Sequence, residues 1–139
     1  MEDNVNVENL IKNEFNPCKQ DKYIPIFEER LKNFFSVRNA IAVANGTAAI
    51  HLALASLNIK DGDEVLVPAN AVIMSVIPIL YQRALPIFVD CQEDGIDFDY
   101  DDLRKKISNK TKAVIPVYLW GCSYNLDKLT KFAKKYNIE

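Results

Sequence analysis

The sequence predicts an α/β fold, a mostly parallel sheet with flanking helices, and three observations carry that prediction. Short runs rich in valine and isoleucine alternate along the chain with longer stretches of helical periodicity. The strand runs carry little charge, as strands buried on both faces and joined by helical crossovers do. A chain of 139 residues, 49% hydrophobic and 26% charged, is large enough to enclose one core.

Residues 1–22 are polar and irregular, with a short helix predicted around Val7 to Asn13 and then a loop containing Pro17. Residues 23–139 are the structured part. Ile26, Phe27, Leu31, Phe34 and Phe35 approximate one face of an amphipathic helix, with Glu28, Glu29, Arg30, Lys32 and Asn33 opposite. Ala40 to Ala44 reads as a short strand, Asn45-Gly46-Thr47 as a tight turn, and the alanine- and leucine-rich run up to Leu57 as a helix. The turn Lys60-Asp61-Gly62-Asp63 leads to a strand, Glu64 to Val67, closed by Pro68. A helix capped by Asn70 is expected over Ala71 to Gln82, with a kink or an early end at Pro78.

Ala84 to Asp90 is the third strand, Glu93-Asp94-Gly95 a turn, and Tyr100 to Ile107 an exposed helix with alternating charge. Ala113 to Tyr118 is the fourth strand. A loop through Trp120-Gly121-Cys122 leads to a closing helix, Leu126 to Tyr136, with Leu126, Leu129, Phe132 and Ala133 on one side.

Several function classes are excluded. Net charge is −2 with both signs interspersed, so neither nucleic acid nor an anionic membrane is an expected partner. Cys18, Cys91 and Cys122 are far apart and odd in number, with no metal-ligand spacing, which argues against a zinc site or a disulfide framework and suits a reducing cytoplasm. The acidic start, Met1-Glu2-Asp3-Asn4, is followed by no apolar targeting segment. Val65 to Tyr81 is free of charge, but it is shorter than the roughly 20 residues of a spanning helix, and Pro68, Asn70 and Pro78 interrupt it.

Around Asn45-Gly46-Thr47, Asn45 can cap the helix and Gly46 accepts whatever angles the turn needs. Taken alone, the turn has two readings. Small residues let a buried helix pack closely on a sheet, which is the more common case; alternatively, free amides and the helix dipole converge on an anion, phosphate above all. No GxGxxG follows any strand, which speaks against a plain Rossmann-type nucleotide binder.

Five motifs in order resemble the N-terminal part of the DegT/StrS-type sugar aminotransferases: Phe27-Glu28-Glu29 with Leu31; Asn45 to Leu54; Gly62-Asp63-Glu64-Val65 with Val67-Pro68; Pro86 to Asp90; and Thr111 to Tyr118 with Gly121. The resemblance covers about Ile24 to Glu139. It implies the large domain of a fold type I enzyme that uses pyridoxal 5'-phosphate to move an amino group, usually from glutamate, onto a nucleotide-linked keto sugar for polysaccharide or lipopolysaccharide biosynthesis. It also implies a homodimer or a complementing chain.

By resemblance, Gly46, Thr47 and Ala48 cradle the cofactor phosphate. Val72 stands where relatives place an aromatic residue that stacks on the pyridine ring, and Ala71 where they often carry a hydroxyl. Valine can press on one ring face by dispersion alone, so weaker cofactor affinity is expected. His51, the single histidine, is read as a packed core residue and Trp120 as a packing or interface residue.

No catalytic residue is expected among these residues. In the family, the acidic partner of the ring nitrogen and the Schiff-base lysine lie further along the chain, and Lys60, Lys105, Lys106, Lys112, Lys134 and Lys135 occupy charged turns or exposed helix faces. The chain alone is therefore expected to be an inactive, marginally stable part of such an enzyme, or else a remnant that acts as a binding module.

Overall fold

The computed structural model describes residues 23–93 and 95–139, so the helix expected around Val7 to Asn13, and Asp94 of the expected Glu93-Asp94-Gly95 turn, lie outside it. The chain divides into two compact units, Met1–Val43 and Ala44–Glu139.

In the first unit, helix α1 spans Tyr23–Phe35 and buries none of its side chains. Phe34 and Phe35 stack edge-on at 5.0 Å between ring centroids. The strand expected over Ala40 to Ala44 does not form. An extended segment becomes a strand only by bonding a neighbouring strand, and here the Ala42 N–H instead donates to the Glu28 carboxylate at 2.8 Å.

The second unit is built on a three-stranded parallel sheet in the order β2-β1-β3, with β1 at Glu64–Pro68, β2 at Leu85–Val89 and β3 at Thr111–Val114. Val65, Leu66 and Val67 of the central strand are fully buried. Their side chains alternate between the two faces of the sheet. Val65 and Val67 pack with Leu54 of α2 (Gly46–Ser56) and with Val76 and Ile79 of α3 (Ile73–Tyr81). Leu66 packs on the opposite face with Phe98, with Leu103 of α4 (Tyr100–Lys106) and with Leu129 of α5 (Leu126–Tyr136). Helices thus cover both faces.

Three further expectations are corrected. The fourth strand stops at Val114 rather than Tyr118, although the Ile115 N–H still donates to Leu66 at 2.9 Å. Pro116 has no N–H to continue a ladder. Asn70 does not cap α3. The Ala71 N–H closes a turn onto Pro68 at 3.0 Å, and the helix starts after Val72, which offers no side-chain cap. Nor does α3 end at Pro78: it runs on to Tyr81. Proline removes the bond to the carbonyl four residues earlier, that of Met74, and Met74 is exposed to water while the Pro78 ring itself is buried in the core.

Candidate functional site

The order of the strands places the site. The connection from β1 to β2 crosses one face of the sheet through α3, and that from β2 to β3 crosses the other face through α4. The chain therefore leaves the neighbouring strands β1 and β3 toward opposite faces, which makes their carboxyl ends a topological switch point, the place where parallel α/β sheets bind ligands in a crevice. Helix α2 lies on the α3 face and its last turn leads into the start of β1. Its amino terminus accordingly points toward the carboxyl ends of the strands, as does that of α3.

At the start of α2, Asn45 is extended (φ −167°, ψ 174°) and its side-chain oxygen accepts the Ala48 N–H at 2.9 Å, while its carbonyl accepts Ala49 at 3.0 Å. The cap thus satisfies Ala48. The amides of Gly46 and Thr47 are left with no intrahelical acceptor, as the first residues of any helix are. Gly46 is exposed, and a Cβ built there meets no atom within 4 Å, so a side chain at this position would enter free space. Helices α4 and α5 carry their own acids in the first turn, Asp101, Asp102 and Asp127, whereas α2 has none. The partial positive charge at this end is thus not offset by an acid of its own first turn.

Val72, at the N-cap of α3, is half exposed just beyond the end of β1. His51 is not in the core: it is half-buried on α2 and meets Tyr81 edge-on at 5.4 Å. Lys60, Lys105, Lys112, Lys134 and Lys135 are exposed, and Lys106 pairs with Asp102 at 2.6 Å. That ion pair, joined by the Asp90 N–H, holds the Asp102 carboxyl below the ordinary range. No described lysine has the desolvated setting that an imine requires.

Just after β2, burial pushes the Cys91 thiol up, opposed by a hydrogen bond from the Asn70 backbone and reinforced by the Asp90 and Asp97 charges. Among the described residues no group of histidines, cysteines and carboxylates could hold a metal ion, and no helix is long and apolar enough to cross a membrane.

Two backbone donors with no intrahelical acceptor, a threonine beside them and no acid in the first turn of α2 form a donor set suited to a phosphate group. The cap itself was readable in Asn45-Gly46-Thr47, because capping chemistry is local. Trp120, expected as a packing or interface residue, is 87% exposed on the turn after β3, in a left-handed conformation (φ 50°, ψ 28°), so it does not pack within the described residues.

The family profile described as the DegT/DnrJ/EryC1/StrS aminotransferase family matches residues 2–139. The GDP-perosamine synthase of Escherichia coli O157:H7 is 41% identical over 116 residues, which are 84% of this chain and 32% of that one. The dTDP-3-amino-3,6-dideoxy-alpha-D-galactopyranose transaminase of Aneurinibacillus thermoaerophilus is 34% identical over 81% of this chain and 31% of its own. Among solved structures, the pyridoxal phosphate form of the putative sugar aminotransferase Spr1654 from Streptococcus pneumoniae superposes with a TM-score of 0.76 at 36% identity, over 81% of this chain and 29% of that one. The chain spans about a third of the length of these relatives.

Proposed function

Because the chain belongs to the DegT/DnrJ/EryC1/StrS aminotransferase family, whose fold type I architecture it shares, we propose that residues 23–139 are part of the large domain of a pyridoxal phosphate-dependent sugar aminotransferase. The reaction proposed is transfer of an amino group, from a donor such as glutamate, to the keto carbon of a nucleotide-linked sugar in polysaccharide or lipopolysaccharide assembly. The observation that carries it is the amino terminus of α2, where the Gly46 and Thr47 amides have no intrahelical acceptor, the first turn holds no acid and the space beside the Gly46 Cα is open.

In this reading, Gly46 and Thr47 hold the cofactor phosphate by charge-assisted bonds. Ala48 contributes the small side chain of the next turn while its amide is bonded to Asn45. Val72 presses on one face of the ring. When bound, the cofactor supplies an electron sink for the carbon that gains or loses the amino group. The described lysines are exposed or ion-paired, so the imine lysine comes from residues other than these. A complementing chain, or the partner of a homodimer, would complete the site.

The test is a titration with pyridoxal phosphate followed by absorbance, with inorganic phosphate as competitor. Gly46→Asp puts a carboxylate where the phosphate would lie, in space that is open. It should weaken binding at least about tenfold by like-charge repulsion while preserving the melting temperature, because an acid at a helix start is favourable by about 0.3–1 kcal/mol. Binding that ignores phosphate competition, or that survives Gly46→Asp, refutes the reading. An imine band with the chain alone would show a lysine partner among its own residues and remove the need for a complementing chain.

A further inference from the structure

We propose that Trp120 is a stacking platform for the base of a nucleoside diphosphate, held over the crevice at the carboxyl ends of β1 and β3; this rests on the reading that the substrate is a nucleotide-linked sugar. Three observations converge on it. The first is the turn itself. The Cys122 N–H donates to the Leu119 carbonyl at 2.9 Å across Trp120 (φ 50°) and Gly121 (φ 77°). Both central residues are left-handed, the geometry of a type I′ turn, which glycine and asparagine occupy readily. A tryptophan in the first of those positions is strained by its own Cβ.

The second is that no packing among the described residues offsets the strain. Trp120 is 87% exposed, so its indole is presented outward rather than packed. Strained residues held in unusual backbone conformations gather at ligand sites.

The third is that the turn is firmly seated. Tyr118, two residues before Trp120, meets Tyr124 edge-on at 5.6 Å, and Tyr124 lies against the fully buried Phe98 at 5.1 Å. This aromatic pile roots the turn in the core, so the indole is offered by a pre-organised support. Its location follows from topology: β3 flanks the crevice, and the turn is the way the chain leaves it. The ligand that matches is planar and aromatic. Nucleobases stack on exposed tryptophan regardless of their hydrogen-bond pattern, so the contact would serve guanine or thymine alike.

Trp120 is the only tryptophan of the sequence, so its fluorescence reports its own surroundings. Titration of the chain with GDP or dTDP should quench it saturably, while pyrophosphate and ribose 5-phosphate, which lack a base, should not. Trp120→Ala should weaken nucleotide binding, measured by equilibrium dialysis, roughly 5- to 150-fold. Trp120→Asn separates a ligand role from a structural one: it should melt higher than the parent, because asparagine tolerates the left-handed turn, yet bind nucleotide as weakly as the alanine variant. Absence of base-dependent quenching up to millimolar nucleotide overturns the proposal, as does undiminished binding by Trp120→Asn, or quenching by pyridoxal phosphate alone. Phosphate-competed binding of pyridoxal phosphate at Gly46, read by absorbance, is unaffected by these outcomes, so the two proposals fail separately.

Discussion

At Asn45 one side-chain oxygen satisfies the Ala48 amide of α2, and the Gly46 and Thr47 amides remain without an intrahelical acceptor. Tyr100 is the opposite case. Its ring lies under the Lys128 ammonium at 3.8 Å and meets Phe132 edge-on, but its buried hydroxyl makes no hydrogen bond of full geometry, the Asp97 carboxylate being only a loose partner. Burial first, and the Asp97 charge second, push this phenol from its ordinary 10 up to about 12. The folded state therefore favours the protonated form. Its contribution to stability is intact below pH 10 and is lost as pH rises through about 12. Tyr100→Phe should stabilise the protein by about 1 kcal/mol at neutral pH, by removing a stranded hydroxyl, and should flatten the loss of stability above pH 10. Urea melts across that range check both effects, and a destabilised variant with an unchanged alkaline slope would contradict them. At this scale, the sequence disclosed the residues whose chemistry is local: Asn45 as a cap is visible in Asn45-Gly46-Thr47. Whether Trp120 packs or stands at an interface was not decidable from the sequence, because its exposure depends on a turn type that Leu119-Trp120-Gly121-Cys122 does not announce.

Four helices end alike. Beyond α1, α2, α3 and α5 stand Ser36, Asn58, Arg83 and Asn137, all left-handed, with φ between 53° and 56°. In each case the next residue, Val37, Ile59, Ala84 or Ile138, donates its N–H back to a carbonyl five residues earlier. This is the Schellman motif, which favours glycine at the left-handed position, and none of the four is glycine. That explains part of what the sequence withheld, since helix ends are usually recognised by the glycine that follows. The apolar residue after each left-handed one was readable: Ile59, Ala84 and Ile138 are buried and tack three helix ends onto the core. Element interiors were legible because period and burial agree, as in β1 and α5. The segment 40–44 was misread because strand character in a sequence says nothing about whether a partner strand is present. Of the four left-handed residues, Arg83 is strained more than Asn58, whose type tolerates that region. Arg83→Gly should therefore raise stability by about 1 kcal/mol, and Asn58→Gly by less. Thermal melts of the two variants decide it, and a destabilised Arg83→Gly would show that the arginine side chain contributes more than its backbone strain costs.

Across the second unit, the sheet is ordered β2-β1-β3, so the first strand made is the central one and the last must cross back over it. That arrangement creates the switch point at the carboxyl ends of β1 and β3, toward which the starts of α2 and α3 are directed. The fold class was legible as a whole, because alternating strands and helices admit few arrangements. The strand order was not, since no residue pattern states which edge of β1 receives β3. The same order has a kinetic consequence. Pairing Glu64 with Leu85 closes a short crossover, whereas pairing it with Thr111 closes a longer one. Loop-closure entropy delays the longer contact. The β1-α3-β2 segment should thus assemble in the rate-limiting step of refolding, with β3 docking afterwards. Ala113→Gly, in β3, should accelerate unfolding about fivefold for a loss of about 1 kcal/mol while leaving the refolding rate unchanged. Stopped-flow chevrons measure both limbs, and slowed refolding would place β3 in the nucleus. A crevice wall that arrives last on folding is also the first to leave, so ligands that bridge β1 and β3 would act chiefly by lengthening the lifetime of the native state.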